Sequence, residues 1–327
     1  MSFLEVAGIC VEEAGKSVLN DISFTQQEFQ NIAITGETGS GKSTLLKTIA
    51  GLVQPTAGQV RFENRRVIGP VDKLVPGHPG ITYLSQHFEL PHSLRVEQVL
   101  RYANTLTDEG ADMLYDICRV THLLPRKTNQ LSGGERQRIA MARLLSTSPK
   151  LLLLDEPFSN LDTAHKDVLK SVIRDIGEEL DITCTLISHD PHDTLSWADE
   201  ILVLKAGQLV QVGTPEQVYR HPVDEYTAAL FGSYNRLSSV STRNFSQLLG
   251  LNPDGKNILV RPERLKLVAD GNKALSGVVN STGFFGSFYE VEVQLQDDVV
   301  KIRTTERHYQ KGDKVHVSLS PEDVWFV

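Results

Sequence analysis

The chain has 327 residues, with 33 Lys+Arg against 41 Asp+Glu and a formal net charge of −8. That length suggests about two domains, and 40% hydrophobic with 23% charged residues excludes a wholly disordered chain. The acidic balance argues against a nucleic-acid coat, and three scattered cysteines (Cys10, Cys118, Cys184) without CxxC spacing exclude a disulfide scaffold and the usual zinc clusters.

The first ten residues carry neither the basic nor the apolar region of a secretory signal. No apolar run approaches the ~18 residues needed to span a bilayer. A short apolar strand is expected over 31–34, followed by Gly36-Glu37-Thr38-Gly39-Ser40-Gly41-Lys42-Ser43-Thr44 and a helix over 43–50. This stretch fits the phosphate-loop pattern G-x-x-x-x-G-K-[ST] between a strand and a helix. Its glycines let backbone N–H groups turn toward phosphates, and the helix N-terminus adds a favourable dipole. Lys42 supplies a charge to the β/γ-phosphates, and Ser43 offers a hydroxyl to Mg²⁺.

Further along, Leu131-Ser132-Gly133-Gly134-Glu135-Arg136-Gln137-Arg138 opens a helix that runs to Leu145. Ser132 and Glu135 have the spacing of a capping box. Capping does not explain Gly133 and Gly134, which permit an anion to approach the helix N-terminus. The apolar strand over 150–154 ends in Asp155-Glu156-Pro157. Asp155 is placed to hold Mg²⁺, and Glu156 to orient or deprotonate an attacking water. An amphipathic helix is expected over 164–180 and another apolar strand over Thr183–Ile187. Apolar strands alternating with helices predict an α/β fold with a parallel sheet covered on both faces.

After about residue 232 the texture changes. Residues 233–246 are rich in Ser and Asn and show no clear period. Tyr289, Val291, Val293 and Leu295 then alternate with polar residues, as do Val315, Val317 and Leu319, with Gly271, Gly283, Gly286, Gly312 and Pro321 between the runs. That pattern predicts a small antiparallel barrel.

The phosphate loop, LSGGE, LLLLDEP, Ser159-Asn160-Leu161-Asp162 and Ile187-Ser188-His189-Asp190, in this order, resemble the ATPase subunit of ATP-binding-cassette transporters. The resemblance implies a P-loop ABC ATPase domain over 1–232 with a helical subdomain over about 87–145. Its 87–130 part would dock a helix of a membrane partner. In Tyr83-Leu84-Ser85-Gln86, the resemblance makes Gln86 the residue that contacts Mg²⁺ or the attacking water. It makes His189 a γ-phosphate switch and places Asp162 in a loop joining two subunits. Two chains would close head to tail over ATP, with Ser132, Gly133, Gly134 and Glu135 of one completing the phosphate site of the other. One phosphate loop and one signature helix per chain imply such a pair, most simply a homodimer.

Two departures stand out. Glu135 replaces the commoner glutamine. Glu13 occupies the place where relatives stack an aromatic on adenine, and no aromatic lies from Ile9 to Ile22. Val18 is then the expected apolar contact to the base, with weak base discrimination.

Within 233–327, Asn257-Ile258-Leu259-Val260-Arg261-Pro262-Glu263-Arg264-Leu265, Gly277-Val278-Val279 and Lys311-Gly312-Asp313-Lys314-Val315 resemble the accessory OB-like (TOBE) barrel of importer ATPases for maltose, polyamines, sulfate and ferric iron. The implied function is ATP-driven solute import. The partners would be two transmembrane permease subunits and an external solute-binding protein, with no nucleic acid, and the place the cytoplasmic face of the inner membrane. An exporter or lipid-release ATPase, or a soluble cassette ATPase acting on DNA or ribosomes, are the alternatives. The barrel favours import.

Overall fold

The computed structural model describes residues 2–86, 90–159, 161–269 and 273–327. His87, where the helical subdomain is expected to begin, Asn160 of the 159–162 loop and Gly271 lie outside the described residues. The chain forms two compact units, Met1–Pro215 and Glu216–Val327.

The first unit opens with β1 (Leu4–Glu13) and β2 (Lys16–Gln26), an antiparallel pair. β3 (Ile32–Thr35) leads into α1 (Lys42–Ile49). β4 (Ala57–Phe62) and β5 (Arg65–Arg66) complete an antiparallel sheet of order β2-β1-β4-β5. After β6 (Ile81–Leu84) come three helices, α2 (Val96–Ala103), α3 (Asp108–Ile117) and α4 (Gly133–Leu145). Then follow β7 (Leu151–Asp155), α5 (Thr163–Glu179), β8 (Thr183–Ile187) and the short α6 (Pro191–Thr194). The unit ends with the hairpin of β9 (Glu200–Lys205) and β10 (Gln208–Gly213).

The second sheet has the order β10-β9-β3-β8-β7-β6. All its strands run parallel except β10, which pairs antiparallel with β9. Period-2 geometry sends successive side chains of a strand to opposite faces. Leu151 and Leu153 therefore join one core with α1 (Leu45, Leu46, Ile49) and the antiparallel sheet (Leu4, Val6, Ile9, Phe62). Leu152 and Leu154, on the other face, are equally buried. Fully burying each such leucine contributes about 1.5–3 kcal/mol. An apolar run without alternation is thus what a strand covered on both faces requires. The carboxyl ends of β3, β6, β7 and β8 all fall at one edge, where ligands bind in open α/β sheets.

The second unit has its own core, which includes Leu237, Phe245, Ile258, Val291, Val293, Ile302 and Val317. After α7 (Pro215–Arg220) and α8 (Glu225–Leu230) come β11 (Asn235–Arg236), α9 (Ser239–Leu249), β12 (Ile258–Val260), β13 (Lys266–Val268) and β14 (Ala274–Phe284). β15 (Tyr289–Gln294), β16 (Val299–Thr304), β17 (Lys314–Ser318) and β18 (Trp325–Phe326) follow. The five-stranded sheet has the order β13-β17-β14-β15-β16, and its two end strands lie against each other, closing a small barrel. Strands β11, β12 and β18 form a separate antiparallel ribbon.

The division into units falls ahead of residue 232 for a visible reason. Buried Arg261 donates to the carbonyls of Tyr219, Ala228, Gly232 and Ser233, and Trp325 Nε1 donates to Pro222 O at 2.8 Å. These bonds hold α7 and α8 to the barrel. The helix α9 occupies a stretch without sequence periodicity. It is capped by Ser238 and ended by Gly250 in the left-handed region, and it buries Ser241, Thr242, Phe245 and Ser246.

Candidate functional site

The phosphate loop connects β3 to α1, and the helix begins at Lys42 with Gly41 as its N-cap. The loop is packed against backbone. A Cβ on Gly36 would lie 2.2 Å from Leu204 O, so no other residue fits there. Lys42 is buried, and its Nζ donates to Gly36 O and Glu37 O, both at 2.8 Å. Burial lowers its pKa below the usual lysine value, against the opposing pull of Glu156, Asp155 and Glu37. This arrangement is a cationic group held by weak carbonyl partners, ready for a stronger anionic one.

Ser43 Oγ, on the first turn of α1, donates to Asp155 Oδ1 at 3.1 Å. The other oxygen of buried Asp155 accepts from Tyr83 OH at 2.7 Å. Burial and this bond to Asp155 push the Tyr83 phenol above its ordinary range, so it stays a donor. Sequence reasoning assigned no role to Tyr83. A tyrosine on a buried strand reads as core until its hydroxyl partner is seen.

Glu156 follows Asp155 with φ 48°, an uncommon region for a glutamate. Its N–H donates to Ile187 O at 3.1 Å, and its carbonyl accepts from Ser159 N (3.2 Å) and Ser159 Oγ (2.9 Å). That turn aims the carboxylate at the sheet edge. There Gln86 Nε2 donates to Glu156 Oε2 at 3.2 Å, and His189 Nδ1 lies 3.6 Å from the same oxygen. A cavity of about 310 Å³ opens here, lined by Gln86, Glu156, Ser159, Lys166, Ser188 and His189. On its wall Ser188 Oγ donates to Asp193, which pairs with Lys166 (2.7 Å) and Lys170 (2.8 Å).

Ser132, Gly133, Gly134 and Glu135 lie elsewhere on the unit. Ser132 Oγ accepts from Glu135 N at 3.3 Å and Ser132 N donates to Glu135 Oε2 at 2.7 Å, the expected capping box. Burial raises the Glu135 pKa, but the Ser132 bonds together with Arg126 and Arg138 outweigh it, leaving the carboxyl below its ordinary value. Asp162 caps α5 by accepting from His165 N (2.9 Å) and His165 Nδ1 (2.8 Å), and a Cβ on Gly134 would meet His165 Cδ2 at 3.1 Å. Signature turn and Asp162 loop therefore share His165, which sequence reasoning passed over. Among the described residues, neither Ser132 nor Asp162 hydrogen-bonds to Lys42, Ser43, Asp155, Gln86 or His189. The two clusters are linked through Gln137 of α4, whose buried Nε2 donates to Pro157 O. That residue was likewise not foreseen.

Val18 is half-buried on β2. The β1–β2 turn brings Glu13 opposite Lys16, with no ring between.

The profile of the family described as ABC transporter matches residues 19–159, and that of the TOBE domain matches 258–327. The chain is 33% identical to the Fe(3+) ions import ATP-binding protein FbpC 1 of Rhodococcus jostii, over 96% of each chain. It is 32% identical to the sulfate/thiosulfate import ATP-binding protein CysA of a Synechocystis species, over 86% of this chain and 82% of that one. Among solved structures it resembles cbiO1 of Clostridium perfringens, described as part of the ABC transporter complex cbiONQ. The TM-score there is 0.59 with 26% identity, covering 67% of this chain and 90% of the other.

Proposed function

The chain belongs to the ABC transporter family, and we propose that it is the ATP-hydrolysing subunit of a solute importer. One observation carries the reading: residues from the ends of four strands meet at one sheet edge. Lys42 and Ser43 follow β3, Gln86 follows β6, Asp155 and Glu156 end β7, and His189 follows β8. Open α/β sheets bind ligands at such an edge.

Gly36 through Thr44 would cradle the triphosphate, and Lys42 would exchange its two carbonyl partners for phosphate oxygens. Among the described residues no three His, Cys, Asp or Glu side chains stand ready to hold a metal alone. Mg²⁺ suits what is present, because it keeps several waters and needs only one or two protein oxygens beside substrate phosphates. Ser43, Asp155 and Gln86 would hold it. When bound, it would neutralise charge on the β- and γ-oxygens. Glu156 would take the proton of the attacking water, with Gln86 and His189 fixing its carboxylate.

The names of both relatives support import over export, as does the TOBE match at 258–327. A second copy would bring Ser132 to Glu135 to each ATP, since one chain holds one cradle and one signature turn. The assignment of 1–232 as ATPase and 233–327 as accessory barrel, two permease subunits, an external binding protein and a peripheral place on the cytoplasmic face complete the proposal. Among the described residues no helix is long and apolar enough to cross a membrane, so the translocation path would belong to partners. The test is co-purification from detergent extracts followed by reconstitution. Permease subunits and solute-stimulated ATP hydrolysis are expected; capture of ribosomes, or hydrolysis indifferent to every partner, would sink the importer reading.

A further inference from the structure

The β9–β10 hairpin turns on Ala206 and Gly207, with φ values of 47° and 78°. Two residues in the left-handed region make the tight turn that matches strand twist. The second residue does more than turn the chain. Gly207 N–H donates to Ser40 O of the phosphate loop at 3.1 Å, and Gly207 O accepts from Asn20 N–H of β2 at 2.8 Å. One residue, through its own N–H and C=O, thus spans from the loop to the strand that carries Val18. The space between is closed. A Cβ on Gly207 would lie 2.4 Å from Val18 O, and a Cβ on Gly41 would lie 2.8 Å from that same oxygen. The Val18 carbonyl is clasped between two residues without side chains, one from the cradle and one from the turn.

The bond to Ser40 has a directional consequence. In a trans peptide the C=O and the following N–H point opposite ways. Holding Ser40 O toward Gly207 therefore aims the Gly41 N–H the opposite way, where in the ATP-binding reading it would face phosphate. We infer that Gly207 is a positioning residue for the nucleotide, setting both the orientation of the Ser40–Gly41 peptide and the spacing between phosphate cradle and the Val18 strand. The inference rests on the ATP-binding reading above. It assigns a role to a turn that contributes no side chain and lies well outside the phosphate-loop motif in sequence. With no aromatic between Ile9 and Ile22 to grip the base, the alignment of these two backbone segments carries more of the binding.

The test uses the purified full chain and a titration with ATP and Mg²⁺. Gly207→Ala forces the turn away from Val18 and should raise the ATP Kd about tenfold while changing kcat at saturating ATP less than about threefold, the signature of lost uniform binding. Ala206→Gly alters the same turn without adding an atom and should leave the Kd unchanged. If Gly207→Ala does not fold, hydrogen exchange on the wild-type chain decides. ATP with Mg²⁺ should slow exchange at the Gly207 amide about tenfold or more, together with Gly41 to Ser43. A folded Gly207→Ala chain with wild-type Kd, or a Gly207 amide indifferent to ATP, overturns the inference. Failure of the wild-type chain itself to bind ATP would instead sink the ATPase reading, and this one with it.

Discussion

Substituting Glu156 by glutamine isolates one property of the site. The amide keeps the shape of the carboxylate and one acceptor oxygen, so the bond from Gln86 Nε2, now 3.2 Å, can persist. The backbone anchors from Ile187 and Ser159 are untouched, since none involves the Glu156 side chain. Folding stability should therefore shift by no more than about 0.5 kcal/mol. What disappears is the ability to accept a proton. A positioned general base contributes roughly 10²–10⁴ in rate, which is about 2.7–5.4 kcal/mol of barrier at 1.36 per decade. Removing a negative charge beside the expected γ-phosphate also removes repulsion, so ATP affinity should hold or improve. The chain should then accumulate as an ATP-bound dimer with little turnover. Phosphate release under steady-state and single-turnover conditions measures the rate, and size-exclusion chromatography with ATP measures the dimer. Single-turnover hydrolysis within about fivefold of wild type, too small a loss for a general base, would remove Glu156 from the role of water-activating residue.

Lys42 supplies a pH test. Burial sets its pKa below the free value of 10.5, and the protonated form binds phosphate. ATP affinity should fall as pH rises through that lowered value, before 10.5, and a flat affinity profile up to 10.5 would refute this. Without nucleotide the sign reverses, because the unfolded chain binds the extra proton in that window, so the apo protein should gain stability as pH rises through it. GTP and ATP should be hydrolysed with kcat/KM values within about tenfold of each other, and Val18→Tyr should favour binding by up to the ~1–3 kcal/mol of base–aromatic stacking; strong ATP preference in the wild type would contradict the reading. Phe245→Ala removes a fully buried ring from the second core and should cost about 3–5 kcal/mol in urea unfolding of that unit. Gly133→Ala should leave thermal melting unlowered or slightly raised, since its Cβ meets nothing within 4 Å, yet abolish the ATP-dependent dimer in size-exclusion runs.

The legible parts of this chain were those where local chemistry and local structure ask for the same residues. The strand of leucines from Leu151 to Leu154 is continuous because both faces are covered. Ser132 and Glu135 announce a helix start because a side chain must satisfy its free N–H groups. The helix α9 stayed hidden for the opposite reason. Beside Phe245 it buries Ser241, Thr242 and Ser246, so its inward face is mostly hydroxyls and shows no apolar period. A hydrogen bond compensates the burial of Thr242, whose Oγ1 accepts from Ile258 N–H at 3.0 Å and ties the helix to β12. Partners supplied from distant strands leave no trace in a sequence window. The same holds at the site. Lys42, Asp155 and Glu156 stand in motifs, whereas Tyr83 and Gln137 act through a single tertiary contact each. The Gly207 turn is further removed still, since its function resides in backbone atoms that every residue possesses.

The two glycines of the signature turn show where one chain stops being sufficient. Gly134 has an internal explanation, because a Cβ there would press on His165 at 3.1 Å. Gly133 has none: a Cβ on it would meet nothing within 4 Å. It opens α4, where free N–H groups attract anions. Glycine in open space at a helix start costs backbone entropy and gives no packing in return. A close approach to the backbone by something outside this chain would justify it. The cradle around Lys42 is likewise cationic, its lysine held by carbonyls of its own loop. Both features seek an anion, and a two-fold pairing would let one triphosphate, held between two chains, serve both at once. The proposed head-to-tail dimer would answer two separate features of one chain, an otherwise unexplained glycine and a lysine whose own hydrogen bonds go to carbonyls.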